Sequence, residues 1–194
     1  MKQAKVLDQS ELKRLLRVVS TTKHDKRNRV VVLLSYLAGL RACEIAALRV
    51  SDVVDKVDGK PEIKGEIRLA SSQTKGSQAQ TIIFSQKLRK EIENYVSSHS
   101  NTADLSLPLI RSQKGQGFSS QTIQNLFRVL YETAGISNAS SHSGRRTFIT
   151  NLSEKGVSTK VIQELARHSS MATTQQYIDV STDKLQNAVD LIGI

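Results

Sequence analysis

Residues 142–177 read HSGRRTFITNLSEKGVSTKVIQELARHSSMATTQQY, and the rest of the chain is organised around this stretch. It gathers His142, His168, Arg145, Arg146, Arg167 and Tyr177, with helix signals between them. Gly156 closes a helix expected over 144–154, and Ser158 stands as N-cap of a second helix running to Ala166. Few of these polar side chains fall where packing would use them. A dense set of histidine, arginine and tyrosine left free of packing reads as most of an active site that attacks a phosphate.

Upstream, Asp8 and Glu11 have capping-box spacing, with Leu7 and Leu12 at the hydrophobic-staple positions. Leu12, Leu15, Leu16 and Val19 then form one helical stripe. A basic polar loop, Thr21 to Arg29, leads into a helix from Val30 to Leu37 that is apolar nearly all round and is therefore expected at the centre of the fold. It breaks at Gly39. One further helix is expected in GLRACEIAALRVSDV (39–53), where Arg41 and Glu44, three apart, share a face. Between Asp52 and Gln86 the short β-prone segments EIRLA (66–70) and TIIF (81–84), punctuated by Gly59, Pro61, Gly65 and Gly76, predict a small antiparallel sheet with a turn at Lys75 and Gly76.

Helices are expected again over 86–97 and 119–133, separated by a polar loop around Pro108, and a last one from Ser181 to Ile192. On the 119–133 helix, Ile123, Leu126, Phe127 and Leu130 share one face. Gln121, Gln124, Asn125 and Arg128 lie elsewhere, and these are the types that read base edges and phosphates in a major groove, although a solvated outer face would carry them too. The fold class is mainly α with a small antiparallel β-sheet (α+β). No repeat or composition shift marks a boundary, so residues 1–194 are expected to form one domain.

Twenty-eight Lys and Arg against eighteen Asp and Glu give a net charge of +10, which favours a polyanionic partner. No lipidation signal or basic amphipathic anchor points to a membrane, and the apolar run from Val30 to Leu40 is too short to span one. With aromatics at 4% and no tryptophan, a single-strand binder built on stacking platforms is disfavoured and duplex DNA is the expected ligand. Cys43 is the single cysteine, and no signal peptide precedes the first helix, which fits a cytoplasmic protein. The histidines are too far apart, and lack cysteine or carboxylate at ligand spacing, for a zinc site, so no metal or other cofactor is expected.

GLRACEIAALRVSDV, the Lys75–Gly76 turn between two strands, the H-S-G-R of residues 142–145 and LARHSSMATTQQY (165–177) together resemble the motif series of the tyrosine recombinases, the phage integrase family, over about Val6 to Ile178. The resemblance implies that family's catalytic-domain fold and metal-free DNA cleavage and rejoining. Tyr177 would be the nucleophile, forming a 3′-phosphotyrosyl link that conserves the energy of the broken bond. An unperturbed phenol ionises near pH 10, so a base or positive field must assist it. Arg41 and Arg145 would clamp the scissile phosphate, each worth on the order of 10³ in rate by analogy with phosphoryl transfer. His142 and His168 would assist proton transfer and hold the phosphate, and Lys75, with Lys64 as fallback, would protonate the leaving 5′-oxygen. In this family the acidic residue at the Glu44 position supports the first arginine. Arg146 joins the DNA-contacting set.

Two positions depart from the pattern. Arg167 stands where the family usually has glycine, and it brings a side chain and a charge either as a further phosphate contact or as a brake. Gly144 stands where an apolar residue is common, which is expected to loosen the start of its helix slightly. An N-terminal core-binding domain is missing from the chain, which is then either a fragment or a short single-domain recombinase. Recombination implies four protomers on two DNA sites, with 181–194 as the candidate docking helix. The rivals are a type IB topoisomerase and a catalytically silent DNA-binding regulator.

Overall fold

The computed structural model describes residues 4–57, 60–74, 79–98, 104–177, 186, 189 and 190. The chain divides into two compact units, residues 1–148 and 149–194. The first begins with α1 (Gln9–Ser20), whose capping box forms as the sequence predicts: Glu11 N–H donates to Asp8 Oδ1 at 2.8 Å and Asp8 N–H to Glu11 Oε2 at 3.2 Å. Leu15 and Val19 are its buried residues from the predicted stripe, while Leu12 and Leu16 are half-buried.

Helix α2 runs Asp25–Ala38, starting well before the expected Val30. The segment assigned to a basic loop is helical from Asp25 because its charged side chains are good helix formers whose solvated faces leave no apolar period to read. Asn28 is buried there, its Nδ2 donating to Thr22 Oγ1 at 3.0 Å. Val30, Val31, Val32, Leu33 and Leu34 are each at most 2% exposed, which places α2 at the centre of the first unit's core, as its all-round apolar pattern requires. Gly39 ends it in the left-handed region at φ 63°.

The single helix expected over 39–53 is two short ones, α3 (Ala42–Ala47) and α4 (Val50–Val53), with Leu48 extended between them. The break is tertiary in origin. The segment around Pro108 runs alongside, so Leu109 N–H donates to Leu48 O at 2.7 Å and Val50 N–H to Leu107 O at 2.9 Å. That segment also carries Leu109 and Ile110 into the core at 1% exposure. Among the described residues the β structure forms two separate antiparallel ribbons: β1 (Val54–Val57) with β2 (Lys60–Ile63), and β3 (Glu66–Leu69) with β4 (Gln80–Ile83), where Ile67 faces Ile82. A 3-10 turn, Ser71–Gln73, follows β3. The turn predicted at Lys75 and Gly76 lies outside the described residues.

Helices α5 (Gln86–Ser97), α6 (Ser120–Thr133) and α7 (Ser143–Glu154) follow at the expected positions, and the boundary between units falls inside α7. In the second unit, α8 (Thr159–Ala166) is capped by Ser158 and packs with a five-residue helix, α9 (Met171–Gln175), that the sequence pattern does not announce. Of the helix expected over 181–192, Gln186, Val189 and Asp190 are described, all helical and exposed. The fold is mainly α with small antiparallel β elements, the α+β class read from the sequence.

Candidate active site

In the first unit the sequence GLR makes a turn that holds two arginines. Gly39 adopts φ 63°, which only glycine enters at no steric cost, and its carbonyl accepts a hydrogen bond from Arg145 Nη1 at 2.6 Å. Two residues on, Arg41 stands at the N-terminus of α3 with extended backbone. Glu44, fully buried, accepts from both ends of Arg41: its Oε2 from the backbone N–H at 2.8 Å and its Oε1 from Nη1 at 2.6 Å. The pair reported by i, i+3 spacing is therefore a buried carboxylate fixing a guanidinium that keeps 22% of its side-chain surface in solvent.

Arg145 lies on the first turn of α7 and is 5% exposed. His142, just before α7, is exposed, and its carbonyl accepts from Arg146 N–H at 2.9 Å. The turn is set by Ser143, whose Oγ accepts from Ser140 N–H at 3.0 Å, and by Thr147, whose Oγ1 donates to Ser143 O at 2.8 Å and accepts from Leu7 N–H at 2.8 Å. His142 and Arg145 are thus three residues apart on a helix start tied to the amino-terminal segment.

The second unit holds the other pair. The rings of His168 and Tyr177 stack with centroids 5.7 Å apart and planes 24° from parallel. His168 Nδ1 is 2.9 Å from the hydroxyl of Thr174, a buried residue of α9, so the short helix that sequence reasoning missed orients the imidazole. The His168 backbone is pinned both ways: its N–H donates to Gln163 O at 3.1 Å and its carbonyl accepts from Gln163 Nε2 at 3.1 Å. Arg167 ends α8 in the left-handed region at φ 57°, where the family's glycine would be unstrained, and its buried guanidinium donates from Nη1 to Leu165 O at 3.0 Å.

The other tyrosines are differently placed. Tyr95 and Tyr131 are 3% and 2% exposed, and burial pushes both phenols above the ordinary value, the wrong direction for a nucleophile. Tyr95 donates its hydroxyl to Leu109 O at 3.0 Å. Tyr36 in α2 and Tyr177 are both half-buried, and Tyr177 stacks on the His168 ring.

Gln121, Gln124, Asn125 and Arg128 are all exposed on α6. They are held along the helix by Gln121 Nε2 donating to Asn125 Oδ1 at 3.2 Å, Gln124 Nε2 to Ser120 Oγ at 3.3 Å and Arg128 Nη1 to both oxygens of Glu132 at 3.0 Å. Arg146 directs Nη1 to Ala4 O at 2.8 Å. Lys64, the fallback for Lys75, donates Nζ to Ser51 O at 2.9 Å, and Lys75 itself lies outside the described residues. Among the described residues there is no group of three or more His, Cys, Asp and Glu able to hold a metal, and no helix long and apolar enough to cross a membrane.

The model of the phage integrase family matches residues 5–184. The chain belongs to that family. It is 34% identical over 184 residues to the tyrosine recombinase XerA of Thermococcus kodakarensis, covering 95% of this chain and 61% of the relative. Among solved structures, a crystal structure of XerA recombinase superposes with TM-score 0.75 at 26% identity, covering all of this chain and 67% of that one. The Tn1549 transposon integrase, in complex with transposon right end DNA, matches with TM-score 0.73 at 14% identity over all of this chain and 67% of that one, a likeness of fold alone. The chain spans about three-fifths of the length of the curated relatives it matches, among them a second XerA from Pyrococcus furiosus at 31% identity.

Proposed function

We propose that this chain is the catalytic portion of a tyrosine-type site-specific DNA recombinase. The observation that carries the reading is the Gly39 turn, which holds Arg145 by its carbonyl and presents Arg41 against the buried Glu44. Two guanidiniums fixed about one turn form a clamp for a tetrahedral anion, and preorganised charge of this kind stabilises the transition state without reorganisation cost. Tyr177 Oη attacks the scissile phosphorus, a P–O bond forms to the phenol, and the bond to the 5′-oxygen breaks. Arg41, Arg145 and His142 hold the non-bridging oxygens, and His168 takes the phenolic proton and, once protonated, adds its charge beside the phosphate. Lys75 gives a proton to the departing 5′-oxygen. Attack of a 5′-hydroxyl on the phosphotyrosine reverses the steps and needs no external energy source.

Duplex DNA is the partner, with the exposed polar set on α6 as its reading face. Four protomers on two sites complete recombination, and the segment 181–194 docks on a neighbour. The test is covalent capture: incubate the protein with nicked duplexes of randomised core sequence, denature, and sequence the DNA that stays attached. An adduct that Tyr177→Phe abolishes supports the reading; an undiminished adduct in that variant refutes the nucleophile. Relaxation of any supercoiled plasmid would turn the reading to a topoisomerase, and salt-sensitive binding without an adduct to a silent regulator.

A further inference from the structure

Gly144, which stands where the resembled family commonly has an apolar residue, lies closely against α2. A Cβ built on Gly144 would lie 2.6 Å from Ser35 Oγ, 2.9 Å from Ser35 Cβ and 3.3 Å from the Ser35 backbone carbon. Ser35 is fully buried on α2, and its Oγ has no hydrogen-bond partner among the described residues. One turn further along both elements, the contact is repeated with the roles exchanged: a Cβ on Gly39 would lie 2.7 Å from Phe148 Cδ1. Each partner thus offers a glycine to a side chain of the other, and between the two contacts Arg145 reaches the Gly39 carbonyl at 2.6 Å. A guanidinium hydrogen bond is sensitive to tenths of an ångström, so whatever sets the separation of α7 and α2 sets where the Arg145 head lies relative to the turn that presents Arg41.

We propose that Gly144 and Ser35 are a positioning pair for the two arginines, the absent side chain of one matched to the small side chain of the other, so that α7 seats at the depth from which Arg145 meets the Gly39 carbonyl. The idea rests on the proposed strand-transfer reading. It makes Ser35, a buried serine whose hydroxyl meets no partner among the described residues, a spacer defined by its volume. A larger residue at either position lifts the first turn of α7 off α2 and withdraws Arg145 without touching any group that contacts DNA.

The experiment measures the rate of phosphotyrosyl adduct formation at saturating duplex, and duplex affinity separately, for wild type, Gly144→Ala, Ser35→Gly, Ser35→Ala and the two double variants. Gly144→Ala is expected to slow adduct formation by about 10²-fold, the order expected for a misplaced catalytic group, with affinity changed less than about five-fold because many other phosphate contacts remain. Ser35→Gly in the Gly144→Ala background is expected to restore the rate to within about three-fold, and Ser35→Ala, which keeps the Cβ at 2.9 Å, only in part. If Gly144→Ala fails to fold, the Ser35→Gly/Gly144→Ala double variant still decides. A double variant that folds but remains slow overturns the positioning role, as does a Gly144→Ala protein that cleaves at the wild-type rate. A wild-type protein that yields no adduct sinks the strand-transfer reading instead, a separate outcome read from a separate sample.

Discussion

Replacing Glu44 by Gln tests the arginine clamp at its support. The carboxylate is fully buried and each oxygen accepts one hydrogen bond from Arg41, to the backbone N–H at 2.8 Å and to Nη1 at 2.6 Å. An amide has a single acceptor oxygen, so one of those donors must face the NH₂ group, and the charge that balanced the guanidinium is gone. Removing one member of a buried pair costs about 3–5 kcal/mol. Arg41 retains 22% of its side-chain surface in solvent, so water can restore part of its solvation, and the expected cost falls to about 2–3 kcal/mol. For a domain of this size that corresponds to a drop of about 4–12 °C in Tm, measurable by circular dichroism. Adduct formation should fall about 10²-fold because Arg41 loses its fixed direction. A Glu44→Gln protein that melts and cleaves like wild type would show that the pair neither holds the turn nor aims the arginine.

Gly39→Ala combines a left-handed backbone with a Cβ 2.7 Å from Phe148 and should destabilise by about 2–4 kcal/mol, seen as a shifted denaturation midpoint. Thr174→Val removes the hydroxyl at His168 Nδ1; losing this orienting hydrogen bond should slow adduct formation by about 10-fold and alter its pH profile, while an unchanged profile would detach Thr174 from the site. Glu91 on α5 is held below the ordinary carboxylate value chiefly by its hydrogen bonds from Arg29 on α2. Its folded pKa is depressed, so the stability it contributes is present above the unfolded value of about 4.3 and is lost as pH falls through the lower folded value. Glu91→Gln should therefore lower Tm at neutral pH and flatten its decline on acidification; parallel curves for the two proteins would contradict the linkage. Tyr177→Phe should abolish the adduct with little change in Tm, since the ring stack on His168 needs no hydroxyl.

Local chemistry was readable wherever one element supplies its own partner. The Asp8–Glu11 box, the Ser158 cap, the Gly39 and Gly156 stops and the apolar helix from Val30 to Leu37 are short-range preferences, and they stand where the sequence places them. The family was legible for a different reason: the order of Arg41, the H-S-G-R of residues 142–145, His168 and Tyr177 along the chain matches a known motif series. What failed depended on distant segments. The break after α3 follows from the Leu107–Leu109 backbone taking the hydrogen bonds of Leu48 and Val50, and α9 is too short to show a period.

By itself, then, the sequence determined most of the helices and the α+β class, because these follow from spacing within one turn or one element, and it singled out the histidines, arginines and tyrosine on which the proposed site rests. Only the tertiary structure decided how those residues are held. That the Gly39 carbonyl accepts from Arg145, that a Cβ on Gly144 would meet Ser35, and that the Thr174 hydroxyl lies beside His168 Nδ1 are facts of close approach between elements. No periodicity encodes them, since packing at atomic contact distance is set by which surfaces meet and not by either surface alone.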